Sequence, residues 1–368
     1  MKPILFSPIT LGNLTLPSRI VMAPLTRARS AQPGDIPTEM AARYYAQRAS
    51  AALIISEASY ISRQAKGYDG TPGCFTPEQL AGWKKVVDAV HAKGGRIFLQ
   101  IWHVGRMSHP DFHDGHPPVA PSAMPVDENI WKVDPDTGIG SFVPVRPPRA
   151  MTHGEIKQTV QDFRLAARNA VDIGFDGVEI HGANGYLVDQ FMRTTSNVRT
   201  DEYGGSRENR LRFVREVITA VAEEVGPDRV GIRLAPFLTF RGMGCPDILP
   251  TIAEAASFAN DMGIAYLHLV EADFDHAPEF TEEFRKEMRE RFKGNIIMAG
   301  LYDREKADWV LEKGYADMVA FGRLFLANPD LPYRLEHELP MNPVDNAHLM
   351  GGGDEGYTDY PFFARDAA

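Results

Sequence analysis

Eight short, almost continuously apolar runs are spread along the chain, and most are separated by longer segments whose apolar residues recur at helical spacing. Apolar runs without strict alternation are typical of parallel strands that are covered on both faces. We therefore predict eight buried strands. They occupy residues 20–23, 53–56, 97–100, 177–180, 230–233, 266–269, 296–299 and 318–321.

Capping residues stand in front of the amphipathic segments. Thr76 and Thr152 each precede a Gln or Glu by three positions, which is the capping-box pattern. Ser206 and Asp303 stand directly before two further segments of helical periodicity. The pattern predicts helices that begin after each of these residues and lie between successive strands.

The alternation of strands and helices predicts an α/β fold, with either a doubly wound sheet or a closed barrel. A doubly wound dinucleotide-binding sheet carries an early G-x-G-x-x-G motif, and the sequence has none. We therefore predict a single (β/α)8 TIM barrel domain over residues 1–368. Residues 103–151 are predicted to form a long inserted capping loop after the third strand. Residues 340–368 are predicted to form a C-terminal tail over the barrel mouth.

Composition and charge narrow the classes of function. The chain has 39 Lys and Arg residues against 49 Asp and Glu residues, a formal net charge of −10. Such a protein lacks the positive field that attracts phosphates, so neither nucleic acid nor an anionic membrane is expected as a partner. Cys74 and Cys245 are too few for a disulfide framework or an iron–sulfur cluster. Because no signal-like or membrane-spanning apolar run is found, the sequence predicts a cytoplasmic location.

Polar residues and glycines follow several of the predicted strands, at the end where barrel enzymes place their chemistry. Gln100 and Arg233 put an amide and a fixed cation where a core would hold aliphatic side chains. Gly300, Gly322 and Arg323 follow the last two strands, where backbone amides of barrels commonly bind phosphate. These positions together predict a phosphorylated ligand with a polar, partly anionic ring.

Five motifs resemble those of the Old Yellow Enzyme family of flavin-dependent ene-reductases. They are MAPLTR at 22–27, QIWHVGR at 100–106, HGANGYL at 181–187, NVRTDEYGGS with ENR at 197–210, and FGR at 321–323. The resemblance extends from Phe6 to Pro361. Thr26 stands where one branch of the family carries a cysteine, so the chain resembles the other branch. Asn184 stands where many bacterial members carry a histidine, so substrate preference cannot be copied from them.

The resemblance implies non-covalently bound FMN as cofactor and NAD(P)H as reductant. The flavin contacts that it implies are Pro24, Leu25, Thr26, Ala58, Gln100, Arg233, Gly300, Gly322 and Arg323. Thr26 would lie by flavin O4, and Arg233 near N1 and O2 would favour the anionic reduced flavin. The last three residues of the set would hold the phosphate. Without a dinucleotide-binding motif, NAD(P)H is expected to bind transiently in the substrate pocket, so turnover is expected to be ping-pong.

The same resemblance implies reduction of the C=C bond in alkenes conjugated to a carbonyl or nitro group. His181 and Asn184 would donate hydrogen bonds to the substrate oxygen and polarise the alkene for hydride from flavin N5. Tyr186 would protonate the α-carbon from the opposite face. The expected catalytic residues are Tyr186, His181 and Asn184, and the expected substrate contacts are His181, Asn184, Tyr68, Trp102 and Tyr357.

Some of these residues have structural alternatives. Arg233 has a buried ion pair with Glu57 as its lesser alternative, and Trp102 has packing in the core as its alternative. The histidines of residues 109–116 have ligand-like spacing for zinc, but they lie in a polar loop without cysteine. A solvated or carboxylate-paired cluster fits that loop better, so no metal site is expected.

Two alternative functions remain open at this stage. The first is a flavin enzyme of the same kind that reduces a nitrate ester or a nitroaromatic compound. The second is a barrel that binds a phosphorylated metabolite without redox chemistry. The sequence does not decide between monomer and homodimer, between NADPH and NADH, or among physiological substrates.

Overall fold

The computed structural model describes residues 3–134, 136–271 and 279–364. Eight parallel strands close into a ring, because the first strand pairs with both the second and the eighth. The predicted (β/α)8 barrel is therefore confirmed. The barrel strands are β1 Ile20–Met22, β2 Leu53–Ile55, β3 Ile97–Trp102, β4 Gly177–Gly182, β5 Val230–Leu234, β6 Tyr266–Val270, β7 Asn295–Ala299 and β8 Met318–Phe321.

Helices connect the barrel strands on the outside. They are α1 Glu39–Gln47, α2 Pro77–His91, α3 His153–Asp172, α4 Leu187–Met192, α5 Arg207–Val225, α6 Ile248–Asp261, α7 Glu282–Arg291, α8 Arg304–Glu312, α9 Arg323–Ala327 and α10 Leu331–Glu336. The side chains of Thr76, Thr152, Ser206 and Asp303 each accept a backbone hydrogen bond at a helix start, which confirms the four predicted starts. None of the helices in the described ranges is long and apolar enough to cross a membrane.

Large side chains fill the interior of the barrel. Phe98 and Tyr266 belong to a buried cluster that also includes residues of the hairpin Ile9–Leu11 and Leu14–Leu16. A β-carbon on Gly231 would lie 2.1 Å from the ring of Tyr266, so only glycine lets that ring reach across to β5. The barrel is therefore a packed core rather than a pore, and a ligand must bind at its end.

Residues 103–151 leave the barrel after β3 as expected, but they are not a plain loop. They contain a hairpin of Asn129–Val133 and Gly140–Pro144. Two shorter strands, Val119–Ala120 and Arg149–Ala150, pair in parallel. The hairpin is tied to the segment after β2, because Asp69 accepts from the amide of Val133 at 2.9 Å. The insertion thus packs against residues at the C-terminal end of the barrel.

The C-terminal tail is held at the same end of the barrel by three buried arginines. Arg27 and Arg29 follow β1, Arg48 follows α1, and all three donate hydrogen bonds to carbonyl oxygens of the tail. Tyr357 is fully buried, with its ring stacked on that of Tyr44 at 4.1 Å. The tail is therefore an integral part of the packed structure.

Candidate active site

A cavity of about 460 Å³ opens at the C-terminal ends of the barrel strands. This volume lies within the range of roughly 300–1,000 Å³ that is usual for small-molecule sites. Residues predicted to contact the cofactor or the substrate make up much of its wall. They are Pro24, Leu25, Asn184, Arg233, Gly300, Gly322 and Arg323. The structure therefore brings together residues from five different strand ends.

One side of the cavity has the chemistry of an anion site. Arg323 is the first residue of α9, whose N-cap residue Gly322 has no side chain to cap the helix. Gly300 and Gly322 bring backbone without side chains to the same wall. Backbone amides at a helix start, with a guanidinium beside them, suit a phosphate group. The residues present thus fit the phosphate of FMN.

Next to Arg233 in the sheet, the barrel interior holds a buried hydrogen-bonded chain of Gln100, Glu179 and His268. Gln100 Nε2 donates to Glu179 Oε1 at 2.7 Å, and His268 Nδ1 lies 2.8 Å from Oε2. Burial alone would raise the pKa of Glu179, but His268, Arg233 and Gln100 lower it below its ordinary value. The Gln100 NH₂ group donates to this carboxylate. The carbonyl oxygen of the Gln100 side chain is therefore oriented to accept from the polar edge of a ring.

Glu179 and His268 were missed in the sequence analysis, although a signal for both exists. Each is a polar residue inside an otherwise apolar strand, at a position that faces the barrel interior. Glu57, the alternative ion-pair partner of Arg233, accepts from the backbone amide of Arg27 at 3.0 Å. The ion pair with Arg233 stays a prediction.

An aromatic cluster lies where β3 and β4 end, with Trp102 at its centre. The Trp102 ring is stacked on His181 at 6.1 Å and on Tyr68 at 5.6 Å, and it meets the edge of Tyr186 at 4.8 Å. The rings of His181 and Tyr186 are 5.0 Å apart. Trp102 is therefore buried and packs against the predicted catalytic side chains, and its contact with substrate stays a prediction.

His181 is held as a neutral hydrogen-bond donor. Its Nδ1 accepts from the backbone amide of Ala183 at 3.3 Å, so the proton of a neutral ring is on Nε2. Burial lowers the pKa of His181 well below its ordinary value, and Arg233 and Arg241 lower it further. An uncharged Nε2–H donor suits a carbonyl or nitro oxygen that gains negative charge during reduction.

A tight turn places Asn184 and Tyr186 beside His181. Asn184 has a φ of +59° and Gly185 a φ of +75°, a conformation that asparagine and glycine adopt more readily than other residues. The first residues of α4 fix this turn, because Asp189 accepts from the Gly185 amide at 3.0 Å. The closely spaced catalytic candidates are therefore presented from a rigid turn.

The remaining predicted residues are less closely connected to this cluster. Thr26 is half-buried and directly follows the cavity residue Leu25, and Ala58 is buried after β2. Tyr357 was expected to contact substrate, but its described ring contacts are with Tyr44 and the arginines that hold the tail. These contacts anchor the tail, and the contact of Tyr357 with substrate stays a prediction.

The histidines of residues 109–116 do not meet as a ligand set in the described contacts. His109 lies 3.2 Å from Asp111, and His113 is hydrogen-bonded to Ser108 at 2.8 Å. Among the described residues, a different group has ligand atoms close together, and it comprises His153, Asp201 and Glu202. Its members are exposed or half-buried at the surface, and Asp201 is paired with Arg199.

The fold and the cavity define a barrel enzyme for a phosphorylated, partly anionic ring cofactor, the class that includes flavin-dependent oxidoreductases. Comparison with known proteins agrees with this class. The family described as NADH:flavin oxidoreductase / NADH oxidase matches residues 4–342. The chain is 47% identical over 370 residues to 12-oxophytodienoate reductase 1 of Oryza sativa subsp. japonica, covering 97% of this chain and 93% of that protein. It is 44% identical to 12-oxophytodienoate reductase 2 of Arabidopsis thaliana, covering 97% and 95% of the two chains.

Solved structures show the same similarity. Morphinone reductase in complex with tetrahydroNAD is 49% identical, with a TM-score of 0.95 over 100% of this chain and 99% of that chain. An old yellow enzyme homologue from Zymomonas mobilis is 39% identical, with a TM-score of 0.92 over 98% and 100% of the two chains. The chain belongs to the Old Yellow Enzyme family. It is an FMN-dependent oxidoreductase with a nicotinamide reductant, which confirms both predictions and excludes the non-redox barrel.

Proposed function

We propose that the protein is an ene-reductase, which uses NAD(P)H to reduce the C=C bond of alkenes conjugated to a carbonyl or nitro group. The observation that carries the proposal is the backbone hydrogen bond from Ala183 to His181 Nδ1, which leaves Nε2–H as the donor of the neutral ring. The names of the relatives support it, because 12-oxophytodienoate and morphinone both denote compounds with a ketone.

In this proposal, each side chain of the cluster has a distinct task. His181 and Asn184 donate hydrogen bonds to the substrate oxygen and so draw electron density away from the β-carbon. When bound, FMN supplies the hydride that the β-carbon accepts. Tyr186 gives its phenolic proton to the α-carbon, which completes the addition of two electrons and two hydrogens. Trp102 and Tyr68 orient these groups and keep water away from them.

The cofactor and the reductant would share one side of this arrangement. Gly300, Gly322 and Arg323 would hold the FMN phosphate, and Gln100 and Arg233 would face its ring. With no dinucleotide-binding motif in the sequence, NAD(P)H and alkene would use the same pocket in turn, which is ping-pong turnover. We place the enzyme in the cytoplasm and expect a monomer or a homodimer.

The test separates the two half-reactions in anaerobic stopped-flow experiments. Flavin absorbance is followed during reduction by NADPH and then during reoxidation by 2-cyclohexenone. We expect Tyr186→Phe to slow reoxidation by at least about 100-fold, the contribution of a general acid, and to leave flavin reduction within about twofold. Equal loss in both half-reactions would remove Tyr186 as the proton donor.

A second measurement examines the oxygen-binding pair. His181→Ala is expected to weaken binding of a phenol, whose oxygen imitates the charged substrate oxygen, by about tenfold. The same donors also suit nitro and nitrate groups, so nitrate-ester and nitroaromatic reduction remain the alternative substrates. An enzyme that NADPH reduces, but that only a nitrate ester reoxidises, would favour that alternative.

A further inference from the structure

Arg241 lies in the connection after β5 and contacts three residues of the candidate site. Its Nη1 donates to the backbone oxygen of Asn184 at 2.7 Å, and its Nη2 donates to Tyr68 Oη at 3.2 Å. Its guanidinium carbon lies 4.7 Å from the centre of the Tyr186 ring. Arg241 therefore joins the turn that carries Asn184 to both phenols of the cluster.

The insertion of residues 103–151 holds Arg241 in an unusual backbone conformation. Its φ of +59° lies in the left-handed region, which is strained for a residue other than glycine. Glu128 Oε1 accepts from the Arg241 amide at 3.0 Å, and Arg106 Nη2 donates to its carbonyl oxygen at 2.8 Å. The insertion also binds Asp69, the neighbour of Tyr68. It thus fixes both ends of the contact between Arg241 and Tyr68.

The contact between Arg241 and Tyr68 favours one direction for the hydrogen bond between Tyr68 and Tyr186. A guanidinium has donors and no acceptor, so Tyr68 Oη must accept from Arg241. Tyr186 Oη lies 3.3 Å from Tyr68 Oη, and either oxygen can donate to the other. Because Arg241 already donates to Tyr68 Oη, donation of the Tyr68 proton to Tyr186 Oη is the favoured direction. In that direction the Tyr186 proton is left to face the pocket.

We propose that Arg241 is a positioning residue that sets this direction and thereby presents the Tyr186 proton to the substrate. The inference rests on the proposed function, in which Tyr186 is the acid. Proton transfer breaks the O–H bond of Tyr186 and forms a C–H bond at the α-carbon, and the O–H electron pair stays on the phenolate oxygen. The Tyr68 O–H and the permanent charge of Arg241 stabilise that oxygen. A proton from water restores the phenol before the next turnover.

The test uses the FMN-loaded enzyme and the two half-reactions described above. Arg241→Met removes both the charge and the donors, and it is expected to slow reoxidation by 2-cyclohexenone by about tenfold. Flavin reduction by NADPH is expected to stay within about twofold. Arg241→Lys keeps a charge and a donor, so it is expected to recover most of the lost rate. Arg289→Met is the control, because Arg289 pairs with Asp317 at the opposite end of the barrel.

A double variant distinguishes positioning from a general disturbance of the pocket. In the Tyr186→Phe background, Arg241→Met is expected to add less than about twofold, since there is no proton left to position. A further tenfold loss of reoxidation rate in that background would overturn the role of Arg241 but leave Tyr186 as the acid. An equal loss of rate in both half-reactions of Arg241→Met would do the same. Unchanged reoxidation in Tyr186→Phe itself would overturn the proposed acid and, with it, this inference. Tyr68→Phe, which leaves the Arg241 backbone untouched, is expected to slow reoxidation as Arg241→Met does.

Discussion

Glu179 offers the sharpest test of how the barrel interior supports the site. Its carboxylate is fully buried and is bonded to Gln100 Nε2 at 2.7 Å and to His268 Nδ1 at 2.8 Å. Glu179→Ala leaves two buried donors without an acceptor, at about 1–3 kcal/mol each, and removes packing atoms as well. We therefore expect the free energy of unfolding to fall by about 3–5 kcal/mol. Glu179→Gln keeps the shape and one acceptor oxygen, so a loss of about 1–2 kcal/mol is expected.

The assay is urea unfolding followed by circular dichroism at one saturating FMN concentration. Glu223→Gln is the control, because this exposed carboxylate on α5 is expected to change stability by less than about 0.5 kcal/mol. The Kd for FMN, measured by flavin fluorescence, gives a second readout. Glu179→Gln is expected to weaken FMN binding about fivefold, because the Gln100 amide is then free to turn. Equal losses of stability in the Ala and Gln variants would refute the hydrogen-bond argument.

Two further predictions concern the packed interior. Burial lowers the pKa of His103 to about 3, so the unfolded chain binds a proton below pH 6.5 that the folded chain does not. The free energy of unfolding therefore falls as the pH falls below 6.5, and His103 accounts for about 2 kcal/mol of that fall at pH 5. In urea titrations, His103→Asn is expected to make the free energy of unfolding less dependent on pH. An unchanged pH slope would contradict the assignment. Gly231→Ala is expected to cost about 1–3 kcal/mol in thermal unfolding, because its β-carbon would meet the Tyr266 ring, and Tyr266→Leu should relieve most of that cost. A loss that persists in the double variant would point to another cause.

The barrel could be predicted because its strands are covered on both faces. Such strands are nearly continuous apolar runs, and all eight runs became barrel strands with ends displaced by at most a few residues. The helix starts could be predicted equally well, because a capping residue forms its hydrogen bond within one turn of its own position. Local chemistry was therefore sufficient for the architecture.

The hairpin in residues 103–151 and the role of Arg241 were not predictable in the same way. The strand Gly140–Pro144 is exposed or half-buried along its length, so it lacks the pattern of a buried strand. Arg241 reaches Tyr68 only because a left-handed turn and two contacts from the insertion aim it there. Contacts between segments so far apart in sequence leave no periodic signal. The same reason explains why the packing of Tyr357 against Arg27 and Arg29 was not predicted.

The hydrogen bonds that hold the C-terminal tail limit how this protein can change during evolution. The acceptors in the tail are backbone carbonyl oxygens, which every amino acid supplies. The hydrogen bonds from Arg27, Arg29 and Arg48 therefore constrain the path of the tail and not the identity of most of its residues. Substitutions in the tail are therefore expected to change stability little as long as the backbone path is kept. Substitution of one of these arginines is expected to destabilise the tail, so homologues should vary in tail sequence far more than at these three positions.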